Sequence, residues 1–266
     1  MNLNPVIIQR KNLHKKLWDD VRPQNVNDLE WEIGAYRYDF FEECGFNFPI
    51  EVNTAPKLYK LCQSVKEKLN VQEDVWFQIK NRIGIQGDAI VSGNDIYPSI
   101  VRLSATAFNQ LNEDELFFLI GHELGHVINK DVVVRFYYDL KYGKEGASNK
   151  LAHSMKVYTL FSELEADRYG YLACGSMEAY ISFLYKCRCG LDFSKSGVSF
   201  QQFMEGNHNR AQFFINGGYM GSDTHPYDAI RIEALHIFST SKDARELSSR
   251  MYPLVYYIDK YANEII

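Results

Sequence analysis

Of seven histidines in the chain, two stand four residues apart in His122-Glu123-Leu124-Gly125-His126. Residues at i and i+4 share one face of an α-helix, so both imidazoles point to one spot and can grip a single zinc ion. Glu123 is turned aside, where in this pattern it reaches a water held by the ion. The alternative is a pair of structural histidines on a core helix. Two imidazoles leave such a site incomplete, because a hydrolytic zinc takes three protein ligands and one open position. The third is expected from another helix. Residues 155–173, MKVYTLFSELEADRYGYLA, carry Glu163 and Asp167 at helical i, i+4 spacing, with Ala166 and Gly170 small enough for close approach to a neighbour. Two carboxylates one turn apart on the apolar side of a helix need a cation to face. A solvated acidic edge is the competing reading, and Glu165 and Arg168 read as surface residues.

These side chains need elements to hold them. Leu111-Asn112-Glu113-Asp114-Glu115 opens the helix with Asn112 as N-cap and Glu115 at the capping-box position. The apolar stripe Leu116, Leu119, Ile120, Leu124 and Val127 carries it for over four turns. Upstream, residues 57–69 read as a helix. Residues 75–79, 88–91 and 99–103 read as strands joined by short turns, which favours a small antiparallel sheet. Residues 9–45 fit two or so amphipathic helices split near Pro23, and from Asn112 onward the chain is mostly helical, with an irregular stretch at 216–223. The expected fold class is α+β. The expected organisation is an N-terminal helical extension, 1–56, packed on one compact unit, 57–266. The aromatic tail Met251–Tyr257 is expected as a packed C-terminal helix; a flap over a cleft is the alternative.

His122-Glu123-Leu124-Gly125-His126 followed by Glu163-Leu164-Glu165-Ala166-Asp167 resembles the gluzincin metallopeptidases of the HtpX and type I CAAX prenyl protease family. A further match is Thr224-His225-Pro226 with Arg231 six residues after the histidine, although Ile230 stands where the family often has Glu. The strands between 88 and 104 and the helix after them resemble the family's run into its active-site helix. The resemblance covers about residues 60–240; residues 1–56 match nothing in it. It implies a zincin-like fold with one Zn2+ per chain, Glu163 as third ligand, Asp167 supporting a zinc-bound histidine from behind, and Glu165 no ligand. The implied activity is a zinc-dependent endopeptidase: a zinc-activated water attacks a peptide bond with Glu123 as general base. His225 would donate to the oxyanion, and Arg231 would orient Glu163 or hold the substrate backbone. The strand near 99–104 would pair with a peptide or protein substrate in extended conformation. Thr224 is expected to cap a helix with Pro226 in its first turn. Alternatives are a zinc-binding regulatory or interaction protein, and a latent peptidase masked by its own termini.

Composition narrows the setting. With 46% hydrophobic residues and a net charge of −5 the chain has material for a core and no basic face for nucleic acid. No stretch approaches the roughly 18 apolar residues of a membrane span, which separates it from the family's integral membrane members. Five cysteines without a CxxC pair suggest a reducing compartment, so the expected location is cytoplasmic. His14, His153, His208 and His236 have no partner at ligand spacing and are expected in surface or packing roles.

Overall fold

The computed structural model describes residues 4–22, 40–42, 44–92, 97–143, 146–222 and 224–264, without the side chains of 259–264. Much of the second helix expected before residue 45 lies outside the described residues. Helix α1 (Pro5–Val21) starts with Asn4 accepting from the Val6 N–H at 3.0 Å and stops short of Pro23. Strand β1 (Phe48–Pro49), helix α2 (Pro56–Lys68) and strands β2 (Val75–Lys80), β3 (Gly87–Ile90) and β4 (Ser99–Ser104) follow.

The α+β class is as expected, but the four strands run β1-β2-β4-β3 and the sheet is mixed, not antiparallel. β2 and β4 pair in parallel from Val75↔Ser99 to Lys80↔Ser104, and β3 pairs antiparallel with β4. Burial explains the order. Ile100, Val101 and Leu103 are fully buried, which suits a strand covered on both faces, so β4 takes the centre. β3 is left at the end of the sheet, beside the histidine-bearing helix.

The rest is helical: α3 (Ala105–Gln110), α4 (Glu113–Asn129), α5 (Asp131–Tyr142), α6 (Asn149–Cys174), α7 (Met177–Cys189), α8 (Phe200–Asn216), α9 (Asp228–Thr240) and α10 (Ala244–Glu264), with a 3-10 turn at Phe193–Ser196. One apolar core joins Leu17 and Val21 of α1, the sheet and α4. A second joins Val157, Leu160 and Phe161 of α6 to Met251, Leu254, Val255 and Ile258 of α10. The aromatic tail is therefore a packed helix. Among the described residues, no helix is long and apolar enough to cross a membrane.

Candidate metal centre

Helix α4 begins as its sequence dictates. Asn112 Oδ1 accepts from the Glu115 N–H at 2.9 Å, and a Glu115 carboxylate oxygen accepts from the Asn112 N–H at 2.8 Å. This reciprocal cap satisfies two N–H groups that a helix start leaves orphaned. Glu115 is fully buried and is answered in turn by Ser182 at 2.6 Å and Lys186 at 2.8 Å, both on α7.

Close packing brings α4 to α6. A Cβ on Gly121 would lie 2.6 Å from the Ala173 Cβ, and one on Gly125 would lie 3.0 Å from the Ala166 Cα. The small residues of α6 do permit the approach their size suggested. The two helices meet with the two imidazoles of α4 facing Glu163 of α6. His122 Nε2 and His126 Nε2 are 3.3 Å apart, and they lie 3.5 and 3.6 Å from the two Glu163 oxygens. Ligands about 2.0–2.1 Å from a tetrahedral zinc are separated by about 3.3–3.4 Å, so this triangle has the size of one face of such a site. Glu163 Oε2 is buried and accepts no hydrogen bond. These three residues could hold a metal ion.

The other imidazole nitrogens are occupied. His122 Nδ1 lies 3.0 Å from Asp167 Oδ1, and His126 Nδ1 lies 3.1 Å from both oxygens of Asp131. A carboxylate at Nδ1 draws the ring proton there and leaves the Nε2 lone pair for a metal. Asp131 is absent from the sequence reading. Sequence spacing does not reveal it: Lys130 adopts a left-handed conformation (φ 51°, ψ 30°) between α4 and α5, which folds the first residue of α5 back under His126. Burial disfavours the His126 imidazolium, but Asp131 and Glu163 outweigh it and hold the metal-free group up at about 10.

Asp167 is almost fully buried, which by itself would raise its pKa. The Arg231 guanidinium overrides this and holds the carboxyl well below the usual carboxylate range. Arg231 donates through Nε at 2.7 Å and Nη2 at 2.6 Å, and the Tyr180 hydroxyl donates at 3.2 Å. The Arg231 guanidinium is buried with its fork on Asp167, and the residue also lines the cleft beside Glu123. Glu165 departs from expectation. It is buried, not a surface residue, and pairs with Arg10 of α1 and with Arg168 at 3.5 Å.

Glu123 points to a cleft of about 380 Å³ lined by β3 residue Gly87, by Leu119, by Phe183, Leu184 and Arg188 of α7, and by His225. A Cβ on Gly87 would lie 2.7 Å from Glu123 Oε1, so any larger residue there would make the carboxylate shift from this position. Burial pushes the Glu123 carboxyl up. His225 is exposed, with Nε2 3.4 Å from Glu163 Oε2 and Nδ1 2.8 Å from the Thr224 hydroxyl. Thr224 caps no helix: α9 starts at Asp228, and Gly221 and Pro226 form a bridge that folds the segment into a tight loop. A larger hollow of about 890 Å³ lies between α8, α9 and α10 and holds none of these residues. Among the described residues, none of α10 lines the cleft.

A paired-histidine helix beside β3 thus meets a carboxylate from the next long helix, a donor set that could hold a metal ion. Comparison with known proteins agrees. The model of Peptidase family M48 matches residues 54–238, more than half of the chain, and the chain belongs to that family. It is similar to "Protease HtpX homolog" of Trichormus variabilis (strain ATCC 29413 / PCC 7937), 30% identical over 87 residues, which is 33% of this chain and 29% of the relative. It is similar also to "Protease HtpX homolog" of Nostoc sp. (strain PCC 7120 / SAG 25.82 / UTEX 2576), 30% identical over 86 residues, 32% of this chain and 29% of the relative. The matches thus span less than a third of these curated relatives. No solved structure matches the chain.

Proposed function

We propose that the chain is a zinc-dependent endopeptidase that cuts a peptide bond within an extended segment of its substrate, using one Zn2+ held by His122, His126 and Glu163. The observation that carries the reading is Glu163: its Oε2 is buried without a hydrogen bond, and its two oxygens face the Nε2 atoms of His122 and His126, whose rings are anchored from behind. A zinc ion held there would supply Lewis acidity toward the scissile carbonyl and the attacking water. Glu123 takes the proton from that water and hands it to the departing amine. Its carboxylate lines the cleft beside Gly87, within reach of a water at the ligand set. His225, which lines the cleft, would donate to the developing oxyanion from its Nε2–H tautomer. Asp167 and Asp131 keep the two imidazoles in the metal-binding tautomer, and Arg231 fixes Asp167, a positioning role.

Substrate pairing along 99–104 does not fit, because β4 has a strand on either side. β3 is the edge beside Glu123, and an extended peptide laid along it would pass the catalytic carboxylate. The apolar wall of Leu119, Phe183 and Leu184 suits an apolar side chain next to the cut. Residues 57–266 would form the peptidase unit with 1–56 packed on it, in the cytoplasmic setting expected from the cysteine pattern.

The test is cleavage of a peptide library by the wild-type chain with and without a chelator, and by Glu123→Gln. The expected result is chelator-sensitive cleavage that falls by about 10²–10⁴-fold in Glu123→Gln while zinc is retained. Near-normal cleavage by that variant would mean another base. A wild type that binds zinc and cuts nothing would favour the regulatory or latent alternatives.

A further inference from the structure

Helix α1 lies outside the segment 54–238 that matches the family, yet it reaches the back of the ligand set. Arg10 Nε donates to Glu165, and Arg10 Nη2 donates to Asn129 Oδ1 at 3.3 Å. Glu165 is two residues beyond Glu163, which puts it about 200° around the helix, on the far side from the metal-facing carboxylate. Asn129 is the last residue of α4, three beyond His126. One guanidinium thus ties the end of the histidine helix to the glutamate helix, from the side opposite the cleft. Arg10 and Glu165 are only 4% and 2% exposed.

The surroundings make this a matter of charge as well as reach. Burial alone would lower the Arg10 pKa, but Glu165, Tyr158 and Asp131 together raise it. Asp131 is the carboxylate that holds His126. One turn along α1, His14 Nδ1 lies 2.8 Å from the Tyr158 hydroxyl on α6. Val6, Ile7, Leu17 and Val21 anchor α1 in the interior. Six buried carboxylates, Glu115, Glu123, Asp131, Glu163, Glu165 and Asp167, lie on or beside the two ligand helices. Arg231 answers Asp167, and Arg10 answers Glu165 in the field of Asp131. Without Arg10, Glu165 keeps only Arg168 at 3.5 Å, and α4 and α6 lose the brace across their far side.

We propose that Arg10 of the added N-terminal helix is a positioning residue for the metal centre: by bracing Asn129 of α4 against Glu165 of α6 it holds His126 and Glu163 at coordination spacing. This rests on the reading of His122, His126 and Glu163 as the ligand set.

The experiment uses the full chain and measures zinc affinity by competition with a chromophoric chelator, at a temperature well below each variant's melting point. Wild type, Arg10→Ala, Arg10→Lys and Leu17→Ala are compared. Leu17, fully buried on the same helix, reports what loosening α1 does in general. Arg10→Ala is expected to bind zinc about 10–100-fold more weakly, the usual scale for groups that support a metal ligand. Leu17→Ala is expected to melt earlier but keep its zinc affinity within about twofold of wild type. Should Arg10→Ala fail to fold, Arg10→Lys decides. Its single ammonium cannot serve both Glu165 and Asn129 as a fork does, and it too is expected to bind zinc more weakly than wild type. Wild-type affinity in the folded Arg10 variants, or an equal loss in Leu17→Ala, would overturn the proposal. A wild type that binds no zinc would instead overturn the ligand set on which it rests.

Discussion

Glu165 is one residue for which the sequence and the structure make opposite predictions. As a surface residue its replacement by alanine would be silent. In the structure Glu165→Ala strands the Arg10 guanidinium in the interior, with Asn129 at 3.3 Å and the Tyr158 hydroxyl as its remaining side-chain partners. Removing one partner of a buried ion pair costs about 3–5 kcal/mol, because the charge left behind is uncompensated. Asn129 and the nearby Asp131 offset part of that, so about 3 kcal/mol is the working figure. For a chain of this size each kcal/mol shifts the melting point by about 2–4 °C, which gives a fall of about 6–12 °C. Circular dichroism melts of the metal-free protein measure it without involving the active site. The double variant Arg10→Met/Glu165→Leu should recover most of the loss, since replacing a whole buried pair with apolar side chains is often neutral. A melting point for Glu165→Ala within about 2 °C of wild type would refute the reasoning, as would a double variant no better than the single one.

Three further outcomes follow from the same geometry. Asp131→Asn and Asp167→Asn should each weaken zinc binding about 10–100-fold in chelator competition; affinity unchanged in either would detach that carboxylate from its histidine. Gly121→Ala places a methyl 2.6 Å from the Ala173 Cβ and 2.9 Å from the Tyr169 carbonyl oxygen. It should cost about 1–3 kcal/mol in urea unfolding, and an unmoved midpoint would contradict the close contact of α4 with α6. Gly87→Ala puts its methyl 2.7 Å from Glu123 Oε1. It should keep zinc while cutting peptide hydrolysis by about 10²-fold or more, the scale of a displaced general base, and full activity would free Glu123 from its assigned place.

What the sequence made legible was local. The Asn112–Glu115 cap, the apolar stripe of α4 and the i, i+4 pairs announce themselves within a few residues, because helix geometry converts spacing directly into direction. What it hid depended on partners far along the chain. Glu165 looked like an acidic surface residue because Arg10 lies 155 residues away. The motif pattern points Arg231 to Glu163 or to the substrate backbone, although the carboxylate it grips, Asp167, belongs to the same motif. Asp131 was overlooked although it is close in sequence, because its approach to His126 depends on one left-handed residue, Lys130. Short turns suggested hairpins throughout the sheet. The burial of Ile100, Val101 and Leu103 instead drives β4 between β2 and β3, and so makes β3 the edge beside Glu123.

X-ray absorption at the zinc edge on the purified wild-type chain reads the proposed ligands themselves. The account predicts one zinc per chain surrounded only by nitrogen and oxygen, two imidazoles at about 2.0–2.1 Å and a carboxylate at about 2.0–2.2 Å, with one imidazole lost in His126→Ala. A sulfur neighbour at about 2.3 Å, or a spectrum that His126→Ala leaves unchanged, would contradict it.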